Sequence, residues 1–299
     1  MTEDENADGL RRRRFIKLAG VAGAAAFFGG YGAEARTSVL TRRPLGGRGQ
    51  VDVLCGDDAD GDGLWQKARE CERAFSGKQP APAGCMGTTT YDVVLNGRPK
   101  TDHNSLLVPT HRIKGIECSK IWDTQYKYYY PLFWKDAWVQ AQKGGAGEVK
   151  GGAVGLGINS KRGRRFDQLH IHMARILSGV PGQLDNQPTP ITSDASKWDR
   201  SIVEVTGMVG PKGKRHPETR YYRALRISRK VLYTQNLFVL LRDNVSAAHA
   251  DMGVQMMVVT KRAHHDDFYV LNSDPQCRPP NPKHGQGGTG TCDPLLVYD

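Results

Sequence analysis

The chain has 299 residues, enough for one large core or two modest ones, and its 38% hydrophobic and 24% charged content describes a soluble globular protein. Beyond residue 35 no stretch is apolar enough to cross a bilayer. The formal charge is +11, none of it from the first 35 residues with their five basic and five acidic side chains, and this excess implies an anionic partner: nucleotide, phospholipid headgroup or nucleic acid.

The N-terminus reads as an address. Arg12-Arg13-Arg14-Phe15-Ile16-Lys17 fits the twin-arginine pattern R-R-x-F-[LI]-K, and an Ala/Gly-rich, weakly apolar run follows from Leu18 to about Gly32. Ala33-Glu34-Ala35 offers a small-x-small cleavage site. Residues 1–35 are thus expected to be a signal, placing the protein in the periplasm or on the outer face of the inner membrane. The competing reading is a basic cytoplasmic N-terminus before a buried helix. Export makes the cysteines legible. Six follow the cleavage site, Cys55, Cys71, Cys85, Cys118, Cys277 and Cys292, and an even number in an oxidising compartment favours disulfides. Cys71 and Cys85 bracket one Pro/Gly-rich loop, and Cys277 and Cys292 bracket another. Both pairs are candidate local staples, with Cys55 and Cys118 as the remainder.

Residues 36–63 read as a loose lead-in. Asp58-x-Asp60-x-Asp62-Gly63 begins like a calcium loop, but its twelfth position is Arg69. The carboxylates are better suited to capping a helix from Leu64 to about Cys71. Extended segments follow at Thr89–Leu95 and Ser105–Ile113, with Asn96-Gly97 as a turn. Tyr126-Lys127-Tyr128-Tyr129-Tyr130 is either a packed loop or an aromatic lining at a lipid entrance. The spacing of Phe133, Trp134, Ala137, Trp138 and Ala141 predicts a helix from Leu132 to about Gln142.

The most informative stretch comes next. Ala153–Ile158 reads as a buried strand, Asn159-Ser160-Lys161-Arg162-Gly163-Arg164-Arg165 as a basic turn, and Gln168-Leu169-His170-Ile171-His172 as the returning strand. Strand alternation sends Leu169, Ile171 and Met173 to one face and Gln168, His170 and His172 to the other. Two residues of rise put the histidines about 6.6 Å apart along the backbone. Arginine forks and glycine-opened backbone N–H groups suit phosphate oxygens. Imidazole attacks phosphorus, carries protons near neutral pH or binds metal. Loop donors beside a strand-borne nucleophile point to phosphoryl or nucleotidyl transfer.

N-S-K-R-G-R-R-F-D-Q-L-H-I-H resembles the signature of CDP-diacylglycerol diphosphatases, a branch of the histidine-triad (HIT-like) superfamily. Leu106-Leu107-Val108-Pro109-Thr110-His111-Arg112-Ile113-Lys114-Gly115-Ile116-Glu117 resembles the family's L-x-x-P-T-x-R-I-x-G-x-E block, and Phe133-Trp134-Lys135-Asp136-Ala137-Trp138 its F-W-x-x-A-W helix. Met252-Gly253 and the apolar run to Val259 also fit, so the likeness spans roughly residues 64–273. The resemblance implies an α+β fold, a HIT-like antiparallel sheet with flanking helices. It implies hydrolysis of CDP-diacylglycerol to CMP and phosphatidate through a nucleotidyl-histidine on His170, without a cofactor. His172 would stabilise charge or shuttle a proton. Asn159, Ser160, Gly163, Arg164 and Gln168 would hold the phosphate oxygens, and His111 and Arg112 are possible nucleotide contacts. The Cys71/Cys85 pair resembles one of the family's. One departure is that a full triad reads H-x-H-x-H, whereas residue 168 is glutamine.

Residues 64–180 are therefore the expected catalytic region. Residues 181–200 are polar and proline-bearing. Strands are expected at Ser201–Met208, Tyr221–Ser228, Gly253–Lys261 and Asp267–Leu271, with a helix near Asn244–Asp251. This order resembles the first half without its histidines, which suggests that residues 181–273 are a degenerate second HIT-like unit or part of the same domain. Residues 274–299 read as a Pro/Gly-rich tail. The expected partners are CDP-diacylglycerol and a membrane surface, and not nucleic acid. Two other functions compete: a periplasmic nucleotide- or anionic-lipid-binding protein without turnover, and a zinc hydrolase with His170 and His172 as ligands.

Overall fold

In the computed structural model, residues 55–77, 79–97, 104–122, 129–211 and 213–298 are described. The twin-arginine segment, the lead-in as far as residue 54 and Tyr126, Lys127 and Tyr128 lie outside these.

Asp62 starts α1 (Gly63–Ser76), one carboxylate oxygen accepting from the backbone N–H groups of Leu64 and Trp65, which is the capping role read from the sequence. The strands β1 (Cys85–Thr88), β2 (Asp92–Asn96) and β3 (Asn104–Pro109) form an antiparallel meander. The third was expected to run on to Ile113, but its ladder stops at Pro109, which has no N–H to donate. Next come α2 (Tyr129–Ala141), β4 (Val154–Ile158), β5 (Ile171–Ile176) and α3 (Gly179–Asp185). Then follow β6 (Ile202–Val209), β7 (His216–Ser228), α4 (Arg229–Thr234), α5 (Leu237–Asn244), α6 (Ser246–Ala250), β8 (Met256–Lys261), β9 (Asp267–Ser273) and β10 (Leu296–Val297). The fold is α+β, with all ten strands in one antiparallel sheet of order β1-β2-β3-β5-β4-β8-β9-β7-β6. β10 joins at the far end of β5, Leu296 against Ile176, where β3 has run out.

The pairing order has an internal symmetry. Read outward from the β4–β8 seam, one side runs β4-β5-β3-β2 and the other β8-β9-β7-β6. Each half sets two strands, then helix (α2 in the first, α4 to α6 in the second), then two more strands, with β1 added outside the first, and the seam joins them through backbone pairs from Gly155–Thr260 to Ile158–Met257.

Side-chain alternation divides the core in two. On one face Leu107, Leu156, Ile171, Met173, Val259 and Val270 pack under Phe133, Trp134 and Ala137 of α2, with Leu232, Phe238 and Leu241 from the second half. Trp134 is fully buried, its ring 5.7 Å from that of Phe238. The opposite face is covered in two patches. The helix α1 lies over Val93, Leu95, Leu106 and Val108, while α3 and residues 292–296 cover Ala174, Val205, Tyr222 and Val258. The histidines lie between these patches. Across the sheet the row reads Leu106, His172, Gly157, Val258.

Segments that read as loose from sequence are tied down. Cys55 is bonded to Cys118, 63 residues away, and Cys71 to Cys85. The expected Cys277–Cys292 staple is not formed, for both are free and buried. Cys277 packs by Gly288, whereas Cys292 faces Gly157 and Tyr298. Burial pushes the Cys277 thiol up to about 11. The expected tail instead supplies Leu295 and Leu296 to the core. Among the described residues no helix is long and apolar enough to cross a membrane.

Gly157 lets the C-terminal segment approach. A Cβ there would stand 2.6 Å from Cys292 Sγ and 2.9 Å from Leu296 Cδ1. Gly157→Ala is expected to cost about 1–3 kcal/mol by overpacking, read as a lower urea midpoint, because the segment must lift off the sheet.

Candidate active site

His170 sits one residue before the β5 ladder, at 7% exposure, and His172 lies within it. Leu169, Ile171 and Met173 are buried on the opposite face, as alternation requires. The imidazole centroids lie 4.9 Å apart with the rings edge-on. His170 Nδ1 is 2.6 Å from the carbonyl oxygen of Gln168. A carbonyl only accepts, so Nδ1 carries the proton and neutral His170 presents Nε2 as a bare lone pair. Burial holds the His170 pKa below its ordinary 6.5; the bond to the Gln168 carbonyl opposes it, the Arg164 charge adds to the depression, and Asp62 and Asp293 oppose it less. The neutral, nucleophilic form is thus the one present at neutral pH.

Gln168 anchors this geometry. It is fully buried, and both ends of its amide are occupied. Nε2 donates to the carbonyls of His111 at 2.9 Å and Pro109 at 3.2 Å. Oε1 accepts from Arg112 at 2.8 Å and from the Ile113 N–H at 3.4 Å. Arg112 is itself buried, reaching the Asp167 carbonyl and forking onto Asp60 at 2.8 and 3.1 Å. His111, by contrast, is exposed.

The basic turn is equally self-tied. Arg164 forks onto Glu117 at 2.5 and 2.7 Å and also reaches Asp167. Burial alone would lower its pKa, but its bonds to Glu117 and Asp167 raise it overall. Asn159 Oδ1 accepts from the Thr291 hydroxyl and the Cys292 N–H. The Ser160 hydroxyl accepts from the Gly163 N–H and keeps its own proton to donate. The structure therefore gathers Asn159, Ser160, Gly163, Arg164 and Gln168 around the histidine hairpin, where the polar atoms of the last two hold the frame.

A sequence model of CDP-diacylglycerol pyrophosphatases matches residues 59–286, more than half of the chain. The chain belongs to that family. It is accordingly an enzyme of phospholipid metabolism whose family acts on CDP-diacylglycerol. The matched span opens at α1 and takes in both halves of the sheet, but it stops short of residues 287–298.

Those last residues nonetheless wall the site. The Tyr298 ring lies 5.7 Å from that of His172, and its hydroxyl donates to Asp293 at 2.7 Å. Burial raises the Tyr298 pKa well above its usual value. On the opposite side stand Asp62 and the Phe166 ring beside α1. Asp62 caps that helix with one oxygen and receives the Asp167 N–H with the other at 2.7 Å. Sequence reading missed Asp293 and Tyr298, because nothing local in a Pro/Gly-rich stretch signals a wall. Two cavities lie near these groups, and only the second takes residues from the basic turn. One, of about 690 Å³, is bounded by Tyr298, Asp293 and the β6–β7 turn. The other, of about 790 Å³, includes Glu117, Lys161, Arg162 and Arg242.

Arg164→Ala would leave Glu117, at 7% exposure, as a buried carboxylate without its fork. The expected loss is about 3–5 kcal/mol in chemical denaturation, and Arg164→Met with Glu117→Leu should recover most of it.

Proposed function

We propose that the protein hydrolyses CDP-diacylglycerol to CMP and phosphatidate through a covalent intermediate on His170. The observation that carries this reading is the bond from His170 Nδ1 to the Gln168 carbonyl, which leaves Nε2 as the free lone pair of a buried, neutral imidazole. Nε2 attacks the phosphorus bearing cytidine, a P–N bond forms, and the anhydride P–O bond breaks with its electron pair leaving on phosphatidate. Water then attacks the same phosphorus, the P–N bond breaks, and CMP departs. His172, edge-on to His170, is placed to stabilise charge and carry the proton between the two steps.

Asn159 and Ser160 face the phosphate oxygens in this reading, the proton that Ser160 retains is available to one of them, and Gly163 shapes the turn by giving its N–H to Ser160. Gln168, Arg112 and Arg164 act by holding the strand and turn, since their polar groups are already engaged. The symmetric pairing order supports a HIT-like unit followed by a degenerate second one, for the first half carries the histidines and the second does not. Two disulfides fit an oxidising compartment. With the twin-arginine pattern they support export to the periplasmic side, next to the membrane that holds the substrate.

His170→Ala is expected to fold and to lose CMP release by several orders of magnitude, measured on chelator-treated protein with CDP-diacylglycerol in detergent. A variant that retains most of the wild-type rate would reject the nucleophile. A second expectation concerns pH. Because the nucleophile must be neutral and its pKa is depressed, kcat/KM should hold steady as pH falls through 6.5 and drop only further down. An acid limb at or above 6.5 would contradict the burial argument.

A further inference from the structure

We infer that the cavity of about 690 Å³ between the β6–β7 turn and residues 291–298 is the subsite for the glycerol and proximal acyl chains of the substrate. This inference rests on the substrate reading above and places the half of that substrate which lies beyond the scissile bond.

Three of the cavity's lining residues also touch the histidine site. Tyr298 contacts His172, Asp293 acts on His170, and Thr291 donates to Asn159. A molecule held by its phosphorus at His170 Nε2 therefore has this cavity immediately past the Tyr298 ring. The lining selects the ligand's chemistry. Leu177, Met208, Val209, Pro211, Pro294 and Val297 present carbon. The one cation among the described lining residues, Arg215, is consumed in the wall: its guanidinium donates to the carbonyls of Met208, Asp293 and Leu296. Asp293 is engaged by Tyr298. A pyrimidine needs donors and acceptors in the ring plane, which these occupied groups do not offer, whereas a hydrocarbon chain needs only apolar walls. The size also suits a lipid stem, falling within the range of about 300–1,000 Å³ typical of small-molecule sites.

Two substrates with the same anhydride bond separate the subsite from the chemistry: CDP-dihexanoylglycerol, soluble as a monomer, and CDP-glycerol, which has no chains. Val209→Trp fills the cavity from the end of β6, and Pro211→Trp does so from the turn. Each should raise KM for the acylated substrate at least tenfold and leave kcat/KM for CDP-glycerol within about twofold. Calorimetric binding of dihexanoyl-phosphatidate should weaken tenfold in parallel, with CMP binding unchanged and the thermal midpoint preserved. If both variants fold and neither changes binding of the acylated ligand, the assignment is wrong. An equal loss on both substrates overturns it too, since that reports general damage. Failure of the nucleophile reading looks different. It appears as CMP release that survives His170→Ala, and phosphatidate binding still judges the cavity.

Discussion

A buried amide with no water to turn to must find protein partners for all its polar atoms, or the fold loses the desolvation cost of each. Gln168 is that group here, and the site is arranged around its satisfaction. Its side chain gathers the backbone of Pro109, His111 and Ile113 and the guanidinium of Arg112, drawing the segment after β3 against the entry to β5. Its own carbonyl then takes the His170 proton. One residue thus sets both the position of His170 and its tautomer. A histidine at 168 would offer two ring nitrogens in place of an amide's paired donors and acceptor, and would not serve all four partners. What reads from sequence as a lapse in a triad is, in three dimensions, the joint between two strands.

Much of the site was legible because strand alternation is a strong local signal. Leu169, Ile171 and Met173 turned one way and the histidines the other, as the two-residue period requires. The helix bearing Trp134 and Trp138 and the capping carboxylate of Asp62 were legible for similar reasons, each resting on contacts a few residues apart. Long-range pairing was not legible. Arg164 looks like a phosphate ligand from its neighbours in sequence, yet Glu117, 47 positions earlier, holds it. Arg112 likewise looks available until Asp60 and Gln168 are seen to claim it. Short elements were lost for another reason. The two residues of β10 and the six of α4 owe their form to tertiary packing rather than to any periodicity of their own.

The β4–β8 seam makes one sheet of two similar halves. The second half contributes helices over the face behind the histidines, Phe238 against Trp134 among them, and the β6–β7 turn beside the opposite face. It thereby backs the histidine strand without carrying an H-x-H of its own. The glycines at 155 and 157 in β4 belong to this division of labour. Any side chain there would occupy the space that the residues beyond 291 use to reach His172.

The two buried thiols have a consequence for how the protein matures. Disulfide exchange runs through the thiolate, and burial keeps Cys277 and Cys292 protonated and out of contact with any oxidant. In an unfolded chain the same two sulfurs would compete with the other four on equal terms. Correct pairing of Cys55 with Cys118 and of Cys71 with Cys85 is therefore favoured when folding comes first and oxidation second. The folded core then sorts the sulfurs by reach, for Cys55 and Cys118 stand 4.5 Å apart at Cα and Cys71 and Cys85 5.7 Å, whereas Cys277 packs by Gly288 and Cys292 against Gly157.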